Sequence, residues 1–315
     1  MAVIQKKKVT KSIGFYHLRV KKLRTPVNDP VFMGVDNFIN VINFIRTLPN
    51  EERLVDIEMK GRKKFHFLKA INVITQDCYH LIFSSAKYEY RPPVIDKQTL
   101  ETKDNPRSMT EGDEELTHVK LYIKKDYVLL LIEERINGIT ARGITQYFND
   151  FKHIFVTGLK KDFENQPKDI QLLLGDKPDG SYRFSTAFVP NNNFTVALHG
   201  ATKIGLGHIY IEKDLIHGSE FARYSNKMKT YTSDLQITLK ATDDLIDMLD
   251  DYYNEYTKGT SHINRMKVEV YDDLGKKSII DTELFKLRKT IEVETNIIDG
   301  VIISDEMFIE MSTLI

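Results

Sequence analysis

The spacing of apolar residues limits the fold of this chain more than any other feature. They fall in short runs of strand type joined by tight turns, with only a few stretches of helical period between them. "RLVDIEMK", "KFHFLKAINVI" and "CYHLIFSSAKY" follow one another, the first two around "KGRKK", and "HVKLYIK" and "YVLLLIEE" flank "KD". Such runs, bounded by turn residues, read as hairpin strands. "SIGFYHLRV" reads as a first strand, and "SYRFSTAFVP" and "FTVALHG" as a pair around "NNN". From Leu235 the pattern is strand, helix, strand, turn and two further strands, with a last helix from about Ser304.

The helical stretches are fewer. "DNFINVINFIRTL" places Phe38, Val41, Ile42, Ile45 and Leu48 on one face, with Asp36 as the expected N-cap. "DLIHGSEFARYSNKM" and "DDLIDMLDDYYNEY" also read as helices, the second with Leu245, Leu249, Tyr252 and Tyr256 as its buried stripe. "RPPVIDKQTLETKDNPRSMTEGDEE" (Arg91 to Glu115) reads as a long polar loop, and "KKDFENQPKD" as a polar connection. Strands in hairpin runs with helices interspersed predict an α+β protein with mainly antiparallel sheets and packed helices. A chain of 315 residues suggests two domains. The expected division is 1–155, with a basic surface, and 156–315, acidic and a candidate dimerisation unit.

The stretch "INGITARGITQYFNDF" carries Gly-Ile-Thr twice, five residues apart. Ile144, Tyr147, Phe148 and Phe151 share a helical face, so a helix is expected from Thr140, its N-cap, to about His153. Gly138 then makes the turn before it. Gly143 falls inside the first turn, where glycine costs about 1 kcal/mol relative to alanine. Either a neighbouring element packs closely there, or Arg142 and the free N–H groups of the helix start hold a phosphate.

The net charge is zero but unevenly spread. Residues 1–75 hold 15 Lys+Arg against 6 Asp+Glu, and residues 231–315 hold 9 against 18. The front can meet phosphates, or the two ends can face each other within the chain or across a dimer. The longest apolar run, "VLLLI", is far short of the roughly 20 residues of a membrane helix. The start "MAVIQKKKVTKSIGFY" has no apolar stretch and no small-residue cleavage site, so it is not expected to be a secretory signal. A single cysteine, Cys78, excludes an internal disulfide and fits a reducing cytoplasm.

Catalytic patterns are sparse. Glu58-x-Lys60, with Asp36 upstream, resembles the carboxylate–carboxylate–lysine pattern of metal-dependent nucleases, in which two acids hold a cation and the lysine lies near the attacking water. Leu54, Asp56, Glu58 and Lys60, however, alternate with Val55, Ile57 and Met59, as on a half-buried strand with one wet face. His199, His208 and His217 recur nine residues apart, which fits no metal-ligand spacing. The acids around Asp243, Asp244, Asp247, Asp250, Asp251 and Glu255 lack the central glycine of a calcium loop. Gly205-x-Gly207 lacks the remainder of a nucleotide-binding motif. No metal or cofactor is expected.

Clustered cations carry more. Lys6, Lys7, Lys8 and Lys11; Arg19, Lys21, Lys22 and Arg24; and Lys60, Arg62, Lys63 and Lys64 form three groups, and Arg265 and Lys267 share one strand face. Lys21, Lys22, Arg24, Arg62, Lys63, Lys64, Arg142, Arg265 and Lys267 are the expected DNA contacts. Such contacts neutralise phosphates without choosing sequence.

In order and spacing, "GFYHLRVKK", the strand pair around Tyr122 to Glu133, "GITARGITQYF", and "MKVEVYDDLGKKSIIDTELF" resemble the RexA-like phage-exclusion proteins, the DNA-binding half of a two-gene abortive-infection system. The similarity spans most of the chain and is best from about Thr242 onward. It implies a cytoplasmic homodimer, not an enzyme, that binds DNA with little sequence preference and signals to a small membrane pore protein encoded nearby. The chain departs from the family at Glu269 and Tyr271, which are not basic, so the DNA surface is expected at the N-terminal turns and at Arg265 and Lys267. Two alternatives remain: a metal-dependent nuclease using Glu58 and Lys60, and an interaction module recognising a phage component through the Arg91–Glu115 loop.

Overall fold

The computed structural model describes residues 6–23, 32–59, 62–89, 91–189, 191–212, 234–240, 245–257, 263–282, 285–296 and 302–315. The chain begins with β1 (Lys6–Lys22), β2 (Phe32–Met33), α1 (Asp36–Thr47), a 3-10 turn (Asn50–Arg53), β3 (Leu54–Met59), β4 (Arg62–Thr75) and β5 (Cys78–Tyr88). A small ribbon, β6 (Val94–Ile95) with β7 (Thr102–Lys103), occupies the expected long loop. Then come β8 (Glu115–Ile123), β9 (Val128–Glu133), α2 (Ala141–Glu164), α3 (Lys168–Leu174) and β10 (Tyr182–Phe188). The last third holds α4 (Asn193–His199), β11 (Lys203–Glu212), β12 (Asp234–Leu239), α5 (Leu245–Thr257), β13 (Ile263–Tyr271), β14 (Lys277–Asp281), β15 (Arg288–Asn296) and α6 (Ser304–Ser312). Antiparallel sheets with helices packed on them make this an α+β fold, as the spacing of the apolar runs predicts.

β1 organises the larger sheet, whose order is β10-β1-β9-β8-β5-β4-β3 with β15 and β2 also on β1. Its 17 residues serve four partners. Lys6–Gly14 pair β15 and Tyr16–Lys22 pair β10, while Ile13–Leu18 pair β9 and Val20–Lys21 pair β2. The sheet is covered on both faces, and successive side chains point to opposite sides. Tyr16, Leu18 and Val20 join α1 and α2 in one core, whereas Ile13 and Phe15 join β15 and α6 in another. Burial on both faces is why "VLLLI" in β9 runs apolar without alternation.

β10, β15 and α6 thus return from the second half of the chain to this sheet, across the expected boundary near residue 155. The smaller sheet, β12-β11-β13-β14, packs its own core against α4 and α5.

Several elements differ from expectation. Asp36 is the first residue of α1; the N-cap position is Val35, with no side-chain cap bond. "FTVALHG" forms α4, because Phe194 and Leu198 meet the smaller core one helical turn apart. In α5 the buried rings are Tyr253 and Tyr256, the latter as expected, and Tyr252 is exposed. Thr140 does cap α2, accepting from the Gly143 N–H at 3.2 Å. The helix continues eleven residues past His153, to Glu164. The helix expected at "DLIHGSEFARYSNKM" lies outside the described residues.

Candidate nucleic-acid interface

β10 would be an open sheet edge, and α2 closes it. Asn149 in α2 accepts from Phe184 N at 2.8 Å and donates to Phe184 O at 3.0 Å, as a neighbouring strand would. The Thr145 and Thr186 hydroxyls meet at 2.9 Å. Beyond this seam a cleft of about 1180 Å³ opens between the start of α2, the 134–140 loop, β10 and β1. Among the described residues, Arg135, Arg142, Lys152, Arg183, Lys286 and Arg288 line it, with two carboxylates, Glu133 and Glu134.

Both carboxylates are engaged by cations of the same lining. Glu134 meets Arg288 at 2.9 Å and accepts from the Tyr16 hydroxyl at 3.1 Å. Burial, then this carboxylate, hold the Tyr16 phenol well above its usual range. Glu133 lies 3.5 Å from Arg135. Lys152 donates to Gly180 O and lies over the Tyr182 ring, 5.0 Å from its centre. Burial lowers the Lys152 pKa, and Lys160 adds to the effect. Lys286 sits 3.7 Å above the centre of the Phe188 ring. Arg142 is exposed at the helix start and makes none of the hydrogen bonds or ion pairs among the described residues. A concave wall of one sign focuses its potential outward and raises the local concentration of anions.

Of the nine expected DNA contacts, only Arg142 lines this cleft. Lys21 is fully buried, so it is withdrawn from any surface role. Lys22 is half-buried. Arg24 lies outside the described residues, and Arg62 opens β4. Lys63 is paired with Glu89 at 2.7 Å, and Lys64 is half-buried, donating to Gly138 O at 2.9 Å. Arg265 holds Asp281 with two bonds of 2.9 and 2.5 Å, and Lys267 stands 3.9 Å from the same carboxylate.

Part of the basic front is neutralised by the acidic end. β15 lies along β1, placing Glu294 opposite Lys8 and Glu292 opposite Thr10, and Lys6 bonds Glu294 at 2.9 Å.

The cleft cations span residues 135 to 288 and come from α2, β10, β15 and two connecting segments, so no local cluster in the sequence marks them. Gly143 is required by close packing within its own helix start, since a Cβ there would lie 2.9 Å from the Ile139 side chain. At Gly138 a Cβ would lie 2.3 Å from Thr117 Oγ1.

The catalytic patterns do not gather. Glu58 is exposed in β3, Asp36 opens α1, and Lys60 lies outside the described residues. His199 pairs with Asp250 at 2.7 Å, His208 lies 3.1 Å from the Thr238 hydroxyl, and His217, Asp243 and Asp244 are outside the described residues. Among the described residues no three His, Cys, Asp or Glu side chains are grouped to hold a metal. Nor, among them, is any helix long and apolar enough to cross a membrane. No protein-family model matches the chain, and no curated protein matches it.

Proposed function

We propose that the protein binds nucleic acid without sequence preference and that the α2–β10 cleft carries the contact. One observation supports this above the others: among the described residues six Lys and Arg side chains line the cleft with two carboxylates, each within ion-pair distance of a cation of the same wall. A phosphate backbone is the repeating anion that such a surface recognises, and non-specific binding needs no base-reading element. Arg142 beside the free N–H groups at the start of α2 suits a single phosphate at one end. The resemblance to RexA-like exclusion proteins supplies the context. In that reading the protein is a cytoplasmic homodimeric sensor of an antiphage abortive-infection system, which signals from DNA to a small membrane pore protein.

The test is a gel shift of the purified protein on unrelated duplexes, over a salt series and with EDTA. The proposal expects binding to every duplex, a steep loss with salt and no effect of EDTA. No shift at low salt would overturn it.

A further inference from the structure

On the face of the larger sheet that α6 covers, three side chains from three elements form one hydrogen-bonded chain. Ser304 opens α6, His118 lies in β8, and Glu133 lies opposite it in β9. The Ser304 hydroxyl is 2.9 Å from His118 Nε2, and His118 Nδ1 is 2.8 Å from Glu133 Oε2. We propose that these residues form a second site that transfers acyl groups from carboxylic esters or thioesters through Ser304. Glu133 also borders the cleft, whereas Ser304 and His118 do not line it.

Each link is set for this chemistry. Glu133 and His118 are fully buried. Glu133 lies 3.5 Å from Arg135 and 3.8 Å from Lys11, and it accepts the His118 backbone N–H at 3.3 Å. With the carboxylate as acceptor, the Nδ1 contact is made by the tautomer that carries its proton there. The Nε2 lone pair then faces the serine hydroxyl. The Phe308 ring meets the imidazole edge-on at 5.4 Å and fixes its plane.

Ser304 is half-buried, and its hydroxyl is directed to His118, while the residue before α6 makes no side-chain cap bond. The first backbone bond of α6 runs from Met307 N to Ile303 O. The N–H groups of Asp305 and Glu306, next in sequence to the nucleophile, therefore have no partner within the helix, and they are donors of the kind that an oxyanion needs.

The step balances without a cofactor. Ser304 Oγ adds to the acyl carbon as His118 Nε2 takes its proton. The tetrahedral oxyanion collapses, and the alcohol or thiol leaves with that proton. Water, deprotonated in the same way, then adds to the acyl-serine and releases the carboxylic acid with Ser304 restored. Ser304 and His118 meet the reacting atoms, and Glu133 is a positioning residue.

An alkyl fluorophosphonate, which phosphonylates activated serines with loss of fluoride, tests this on the full chain by intact mass and peptide mapping. The expected result is one adduct, at Ser304, absent in Ser304→Ala and formed at least about 100-fold more slowly in His118→Gln. Glu133→Gln should slow it as well and remove the low-field NMR resonance of the shared Nδ1 proton. Ser304→Cys keeps a nucleophile of similar size, and its thiol should react faster with iodoacetamide when His118 is present than in the Ser304→Cys/His118→Gln double variant. A folded wild-type chain that is unlabelled at Ser304, or labelled there as fast without His118, would overturn the proposal. Neither result bears on binding in the cleft.

Discussion

Replacing Tyr147 with phenylalanine deletes one oxygen from the middle of the larger core and leaves the ring in place. That oxygen does two things. It donates to Arg53 O at 2.6 Å, tying α2 to the 3-10 turn before β3, and it accepts the Leu68 N–H at 3.2 Å. Pairing between β3 and β4 ends with Leu54 opposite Phe67, so the Leu68 amide lies just beyond that ladder. Leu68 is fully buried and Tyr147 nearly so. In Tyr147→Phe the buried amide is left unpaired, at about 1–3 kcal/mol, and Arg53 O loses a bond worth about 1 kcal/mol net. The expected loss is about 2–4 kcal/mol. At roughly 2–4 °C per kcal/mol for a chain of a few hundred residues, this lowers Tm by about 4–16 °C. Urea unfolding checks it: the midpoint should fall with an unchanged m-value. A loss under about 0.5 kcal/mol would refute the reasoning, since it would mean the amide has another partner.

Three further outcomes follow from the same physics. Burial holds His17 and His66 neutral, with pKa values of about 4 in the folded protein, and Arg19 and Lys64 respectively reinforce this. These folded values lie below the unfolded value of about 6.5. The stability they contribute is therefore complete above that pH and lost as pH falls toward 4, at up to about 1.4 kcal/mol per pH unit for each residue. Urea midpoints at pH 7 and pH 5 should show the loss, and His17→Asn with His66→Asn should reduce it to the part left by His80, which burial likewise lowers to about 4. Gly138→Ala should destabilise by about 1–3 kcal/mol in a thermal melt, because its Cβ would lie 2.3 Å from Thr117 Oγ1, the acceptor of the Ile139 N–H. Gly158→Ala should stabilise by about 0.5–1 kcal/mol, since Gly158 is interior to α2 and no atom lies within 4 Å of the added Cβ.

Local signals were legible in the sequence, and long-range ones were not. Thr140 as a cap and the Ile144, Tyr147, Phe148, Phe151 face of α2 follow from residue types a turn apart, and both stand in the structure. The end of α2 was not legible, because past Phe151 its only fully packed apolar residue is Val156 and the periodic signal fades. The β-branched run in "FTVALHG" reads as strand, yet Phe194 and Leu198 select a helix by meeting a core supplied by β11, β13 and α5. The length of β1 depends on β15, which is nearly 280 residues distant and which no local window can foresee. The candidate interface was the least legible part. Runs of lysine draw attention in a linear sequence, but Lys21 is buried and Lys6 and Lys63 are paired with carboxylates. The concave basic wall is assembled from cations scattered along the sequence, two of them on α2 and ten residues apart, and only Arg142 among them is marked by its local sequence.

The most direct test of the central claim is the salt dependence of duplex binding, measured by fluorescence anisotropy for the wild type, for Arg142→Ala/Lys152→Ala/Arg288→Ala, and for Lys63→Ala/Lys267→Ala outside the cleft. Each phosphate contact removed should reduce the slope of log K against log salt by about 0.9. The cleft variant should therefore lose about 2–3 from the slope and bind more weakly to every sequence, while the outer variant keeps the wild-type slope. An unchanged slope in the cleft variant, or a loss confined to the outer variant, would contradict the assignment of nucleic-acid binding to this cleft.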